Sequence, residues 1–417
     1  MGVLAARRKK TRFLEVCICW GGIVPVVAAV PVSLEPGAPA GGFAEAPPLA
    51  FSLAEMTAGL EEEVGDQLAG LQGGFSTSMM YDSNVNQSPD TEDFPARGSM
   101  VATFSPSLQW SIANSAWTAS LALNGGYDFN FGNQEYNGLN YSAAGSVGYD
   151  GGRWNIGGRF QESYNDGQNR YFAAKVSQFS HGFGLNGSFS LSPKTSLTSG
   201  WNSSWSDPGD GFGGSENHSL GVSAMWRYSP LLRVGPGIRW TRASGETQPG
   251  RDSVGPSLSL IYQLSRKVSL QGSLNMQYAS YEQGGSDQFL AGGLTASYAF
   301  NRLWSFNLSL NRDAQADGSL NGGFRETTAL RFGMSRKVRR ARLALGLGYE
   351  HSGYTNSSQA EARPATDYTT ADISLGMPVW GDRASASVFL RYKDSVSTEL
   401  SRDWSGMQAG CSLNFRF

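Results

Sequence analysis

Side chains able to do acid–base chemistry are few in this chain. It has three histidines, and two of them stand close to an acid: His218 near Glu216, and His351 beside Glu350. A hydrolytic site needs a nucleophile or an activated water with a histidine and an acid oriented together. Adjacent residues on a strand point to opposite faces, which removes Glu350–His351 as a simple dyad. The plainer expectation for His181, His218 and His351 is a place at strand ends, and no catalytic residue is assigned. No His/Cys cluster has metal-ligand spacing, and no cofactor is implied. Asp82-Ser83-Asn84 and Asp90-Thr91-Glu92-Asp93 carry several oxygen donors of the kind calcium takes, yet lack the spaced acids and Gly of an EF-hand loop. A solvated loop is expected there.

The basic residues are more informative. Following the alternation of polar and apolar positions places Arg159, Arg233, Arg239, Arg331, Arg342, Arg391 and Lys393 on the polar side of their segments. Acids assigned to that side are fewer, notably Asp128 and Glu350. Rings of basic side chains favour the passage of anions. The alternative is that these cations pair with inward carboxylates and simply fill the interior.

Those faces presuppose strands, and the alternation supplies them. Trp117, Ala119, Leu121, Leu123, Tyr127 and Phe129 oppose Thr118, Ser120, Asn124 and Asp128; Trp304, Phe306, Leu308 and Leu310 oppose Ser305, Asn307, Ser309 and Asn311. The last segment repeats the pattern, with Met407, Ala409, Cys411, Leu413, Phe415 and Phe417 against Gln408, Gly410, Ser412, Asn414 and Arg416. Period two with one apolar face is the signature of a strand. Tight turns near 113–115, 150–152, 192–194, 229–230, 265–267, 300–302, 336–338 and 380–382 are made of Gly, Pro, Asn, Asp and Ser. Nine longer loops alternate with them, near 82–98, 131–138, 165–174, 206–216, 243–252, 281–287, 313–324, 352–367 and 394–403. Seventeen connections imply eighteen strands of 9 to 14 residues, or sixteen if the register slips near 165–192. The expected fold is all-β: a transmembrane antiparallel up-and-down β-barrel over 73–417.

Composition agrees. Only 16% of residues are charged, 53 are Gly, and 12% are aromatic, against roughly 25% charged and about 7% Gly in ordinary soluble domains. No apolar run after residue 50 approaches the roughly 20 residues of a spanning helix, so only a closed barrel could cross a bilayer with its backbone satisfied. Residues 1–40 read as a signal peptide, with five basic residues in Ala6–Arg12 and an apolar stretch from Phe13 to about Leu34. Glu15, Gly21, Gly22, Pro25 and Pro31 argue against an uncleaved anchor helix. Removing this segment leaves a formal charge of −5 and one cysteine, Cys411. Neither a nucleic-acid partner nor an intramolecular disulfide follows from that.

Residues 41–72 read as a linker and an amphipathic helix. Ser52-Leu53-Ala54-Glu55 matches a capping box, and Leu53, Met56, Leu60, Val64, Leu68 and Leu71 follow at helical spacing. A periplasmic partner for 52–72 is expected.

The chain resembles the β-barrel porin 2 family of outer-membrane proteins, through Gly74-Phe75 running into Tyr81-Asp82-Ser83-Asn84-Val85 and through the whole-chain strand pattern. Its last strand also resembles the aromatic-terminated strand by which the barrel assembly machinery recognises such proteins; Leu413, Phe415 and Phe417 would carry that signal. The resemblance implies an integral outer-membrane protein in contact with lipid and brings no substrate. The expected function is a porin-like channel or the barrel of an export system. A plugged, partner-binding barrel is the alternative, and a hydrolase the third reading.

Overall fold

The computed structural model describes residues 70–417, apart from 89, 92–94, 170–173, 210–212, 247, 283, 317–323, 356–364 and 399–402. The expected signal peptide, the linker and the helix up to residue 69 lie outside the described residues.

Eighteen strands form one sheet. They are β1 (Leu71–Asp82), β2 (Ser99–Ala113), β3 (Trp117–Phe131), β4 (Gly138–Asp150), β5 (Trp154–Asn169), β6 (Ala174–Ser192), β7 (Thr195–Pro208), β8 (Ser215–Arg227) and β9 (Leu232–Gly245). Then come β10 (Gln248–Ser265), β11 (Val268–Tyr281), β12 (Ser286–Ala299), β13 (Trp304–Ala316), β14 (Phe324–Val338), β15 (Ala341–Thr355), β16 (Thr366–Trp380), β17 (Ala384–Ser397) and β18 (Trp404–Arg416). Every strand pairs antiparallel with its neighbours in sequence, and β1 also pairs with β18 from Gly74↔Arg416 to Asp82↔Gln408. The sheet is therefore a closed barrel without an edge. The count is eighteen; the sixteen-strand alternative is not realised.

Turn chemistry explains the short ends. The Asn114 side chain accepts from the amides of Ala116 and Trp117 at 3.0 and 3.2 Å, and that of Asn301 from Leu303 and Trp304 at 2.8 and 2.9 Å. Ser229 and Ser265 do the same with their hydroxyls. Such side chains satisfy the amides that a tight turn leaves without a ladder partner.

Four details depart from the sequence reading. Strands run from 12 to 19 residues, longer than the expected 9 to 14. The helix cannot extend to residue 72, because Leu71 and Gln72 already pair with Trp110 and Gln109. The expected long loop at 243–252 is mostly strand: β9 runs to Gly245 and β10 begins at Gln248, with a register shift between Gln248 and Arg251, so pairing continues through residues whose polarity suggested a loop. The basic turn is centred on Arg339-Arg340, with Arg339 at φ +56°, while Arg336 and Lys337 remain in strand.

The apolar residues lie outside. Leu123, Leu258, Leu274, Leu308, Leu330 and Leu347 are exposed at mid-strand. Aromatics flank them on the same face, with Trp117, Trp154, Trp226, Tyr228, Phe300 and Trp380 at the tight-turn end. Tyr81, Tyr127, Phe131, Tyr278, Tyr349 and Tyr392 sit toward the long-loop end. Most of the buried side chains are polar and face inward.

Candidate functional site: the polar interior

The inner face is built from alternate residues of all strands, and its two halves differ. Toward the tight turns, small hydroxyls pair across strands: Ser120 with Ser146, Ser305 with Ser335 and Ser387 with Ser412, each at 2.7 Å. Inner residues of that half, such as Arg233, Asn307 and Arg331, remain exposed. Toward the long loops the interior is filled. Arg251, Asn275, Gln277, Arg325, Glu350, Lys393, Ser395 and Gln408 are all buried there, together with Phe289 and Ala291. Buried polar groups at this density require partners inside the wall, and the network Thr241–Ser253–Gln277 is one, with Ser253 Oγ donating to Gln277 Oε1 at 2.9 Å.

The narrowing has a geometric cause. Cα atoms of β13 come within 8 Å of β8 and β9, strands on a different part of the wall. A cleft results, lined by Asn202, Arg239, Thr241, Arg251 and Ser253 on one side and by Asp313 and Ala314 on the other. The Arg251 guanidinium lies over the Phe289 ring at 4.4 Å and near that of Tyr281 at 5.9 Å. The Nε of Arg239 is buried with no hydrogen-bond acceptor.

The cations singled out in the sequence take several positions on this face. Arg159 donates from Nη2 to Asn202 Oδ1 at 2.7 Å, across the intervening β6. That bridge needs Gly184 beneath it, where a Cβ would lie 2.8 Å from Arg159 Nε and 2.9 Å from Asn202 Oδ1. Arg342 donates to Ser335 Oγ at 3.2 Å, and Arg391 to Gln408 Oε1 at 3.5 Å. Asp372 is directly opposite Arg391 in the ladder. Arg233 and Arg331 sit at the open half, and Arg239 at the cleft. Arg251 and Arg325 escaped the sequence reading because they fall in or beside segments taken as loops. The continued alternation Arg251, Ser253 against Asp252, Val254 was the signal that could have found Arg251.

The Tyr81–Val85 segment joins the first strand to the last. Asp82 accepts from Gln408 Nε2 at 2.7 Å and from the Asn84 amide at 2.9 Å; Asn84 Nδ2 donates to the carbonyls of Ser88 and Ser405, each at 2.8 Å. The Ser83 hydroxyl accepts from the Met407 amide at 2.8 Å. These oxygens are committed to the seam, and no group of three or more metal-ligating side chains occurs among the described residues. At the other end of the seam, Gly73 and Phe417 exchange backbone hydrogen bonds of 2.8 and 2.9 Å, and Leu413, Phe415 and Phe417 are exposed on the outer face.

The histidines occupy the outer face. His351 pairs with Asp367 at 2.8 Å, while Glu350 is buried inside, as the alternation requires. His181 lies inside β6, away from its ends. His218 meets both Glu216 and Ser203, at 2.6 Å each; Ser203 was not foreseen, because β7 supplies it.

No protein-family model matches the chain, and no curated protein matches it in sequence. The likeness to the β-barrel porin 2 family therefore has no support beyond the residues given above. Among solved structures, OccK1 (OpdK) of Pseudomonas aeruginosa is similar at 11% identity and a TM-score of 0.45, over 83% of this chain and 99% of that one. OccAB4 of Acinetobacter baumannii is similar at 13% identity and TM-score 0.42, over 84% and 100%. The siderophore receptor PirA of Acinetobacter baumannii is similar at 6% identity and TM-score 0.43, over 85% and 81%.

Proposed function

We propose that this chain is an integral outer-membrane channel that admits small hydrophilic solutes, anions preferentially, and that it narrows toward the cell exterior. The observation that carries this reading is the outer surface: an exposed apolar band held between aromatic residues at both ends of the strands. Interfacial aromatics bounding an apolar belt are how barrels sit in a bilayer. Charged pairs return to the outer face near the long loops, as in Arg242–Glu282 at 2.8 Å and Arg312–Glu326 at 3.2 Å. With an even strand number, β1 begins and β18 ends at the tight-turn side, which is assigned to the periplasm. Export through a signal in residues 1–40, assembly through Leu413, Phe415 and Phe417, and a periplasmic contact through 52–72 belong to the same proposal.

A barrel of eighteen strands is wide enough for an aqueous lumen. Its inner face carries Arg159, Arg233, Arg239, Arg331, Arg342 and Arg391, whose field would raise the local concentration of anions. The approach of β13 to β8 and β9 favours one further reading, a barrel closed at its outer mouth until a partner or solute opens it. Planar-bilayer recording of the purified full chain decides. Stable conductance steps support the open channel; a silent but heat-modifiable protein supports the closed barrel and counts against free diffusion.

A further inference from the structure

We propose that the outer surface carries an acyl-ester hydrolase site, with Ser203 as nucleophile, His218 as general base and Glu216 as its orienting acid, acting on ester-linked acyl chains of the surrounding lipid. The inference rests on the membrane-barrel reading for its substrate and goes beyond transport. Its basis is a continuous hydrogen-bonded relay. Ser203 Oγ lies 2.6 Å from His218 Nδ1; His218 Nε2 lies 2.6 Å from Glu216 Oε1; and Trp205 Nε1 donates to the same Glu216 oxygen at 2.7 Å. A carboxylate at Nε2 keeps the proton on that nitrogen, which leaves the Nδ1 lone pair to accept the serine proton.

Position matches the substrate. Strand pairing sets the outer-face residues in rows. Glu162, His181, Trp205 and Glu216 form one row, and Phe160, Phe183, Ser203, His218 and Arg242 form the next. The row below, toward the tight turns, is apolar: Leu185, Trp201, Leu220 and Trp240. Ser203 and His218 thus lie where the polar rim gives way to the apolar belt, the depth at which lipid ester groups meet acyl chains. A groove of about 360 Å³ begins one row below, at Leu185, Trp201 and Leu220, and runs toward the tight turns between Trp154, Ile156 and Leu197. Its floor is open at Gly187, which faces outward opposite Ser199 and carries no side chain to fill it. An acyl chain entering from the outer leaflet would point down it.

Ser203 is buried, framed by Trp201 and Trp205 along its strand and by Phe183 and His218 across it. The Phe183 and Trp201 rings meet edge-on at 5.7 Å between the groove and the hydroxyl. An incoming chain must part that pair to bring its carbonyl to Oγ. The chemistry then balances with water as the second reactant. Ser203 Oγ bonds to the carbonyl carbon and its proton passes to His218 Nδ1; the ester C–O bond breaks and the leaving alkoxide takes that proton. Water attacks the acyl-serine, gives one proton to His218, and the acyl–Oγ bond breaks. The proton returns to Ser203, and a fatty acid is released.

The test uses the full chain in detergent and in phosphatidylglycerol proteoliposomes, with a dodecyl fluorophosphonate as probe. Expected is a single phosphonyl adduct, located by peptide mass spectrometry on Ser203, and release of fatty acid from the vesicles. S203A should abolish both, and H218Q should slow adduct formation at least about a hundredfold. E216Q, which keeps the size and the Trp205 contact, should slow it less. Heat-modifiable migration certifies each barrel as folded. A heat-modifiable wild type that takes no adduct, or an adduct that forms equally in S203A, would overturn the site. Adduct formation on a chain whose migration ignores heating would overturn the membrane barrel and the lipid substrate together, so the two failures read differently.

Discussion

Asp82 and Gln408, 326 residues apart in the chain, meet at 2.7 Å and lock the first strand to the last. Both are buried, and the same carboxylate holds the Asn84 amide. Removing one partner leaves a buried polar group unsatisfied, which costs about 1–3 kcal/mol. D82A and Q408A should each lower the temperature at which the compact gel form converts to the slow one. The double variant should cost less than the two together, because they share one contact. Unchanged conversion temperatures in both would show that the ladder alone holds the seam.

A side chain at Gly184 should displace the bridge above it. Alanine there meets Arg159 and Asn202, the two ends of the bridge over β6. G184A is expected to break that hydrogen bond and cost about 1–3 kcal/mol as an overpacked site. Conversion temperatures again report it, and the loss should shrink in an R159A background.

Anion preference should fall when interior charge is removed. Replacing Arg233, Arg239, Arg331 and Arg342 by Gln keeps donors and approximate size. Reversal potentials in a potassium chloride gradient should move toward cations, most clearly at about 0.1 M or less, where the Debye length is roughly 10 Å or more. Conductance with unaltered selectivity would mean that interior carboxylates already neutralise these cations.

Arg251 should restrict the outer mouth. It is buried over Phe289 at the cleft between β10 and β13. R251A is expected to raise single-channel conductance, whereas R342A, in the half lined by small hydroxyls, should change it far less. Equal effects would place the narrowest point elsewhere.

Phe417 should matter for assembly. Its backbone closes the tight-turn end of the seam against Gly73, and the residue is 80% exposed on the outer face. Deleting it is expected to reduce the amount of heat-modifiable protein in outer-membrane fractions and to raise periplasmic degradation. Normal membrane levels would remove Phe417 from the assembly signal.

Much of the fold was legible because each strand is a local pattern. Period-two alternation, as in Trp304–Asn311, and turn residues such as Asn114, Ser229, Ser265 and Asn301 act over a few residues, so the sequence by itself determined an all-β barrel of eighteen or sixteen strands, and the pairing through 165–192 decided for eighteen. It misjudged 243–252 because polarity marks both loops and inward-facing strand residues, and only pairing with β9 and β11 separates the two. The seam, the interior narrowing and the outer-face relay were decided by tertiary structure. Asp82 meets Gln408 only when the barrel closes. Asp313 nears Arg239 and Arg251 only because β13 bends toward β8 and β9. Ser203 joins His218 only through the β7–β8 register, and a shift of one residue would turn one of them to the other face. Spacing along a chain sets which face a side chain takes; which side chains then meet depends on strands brought together from distant parts of it.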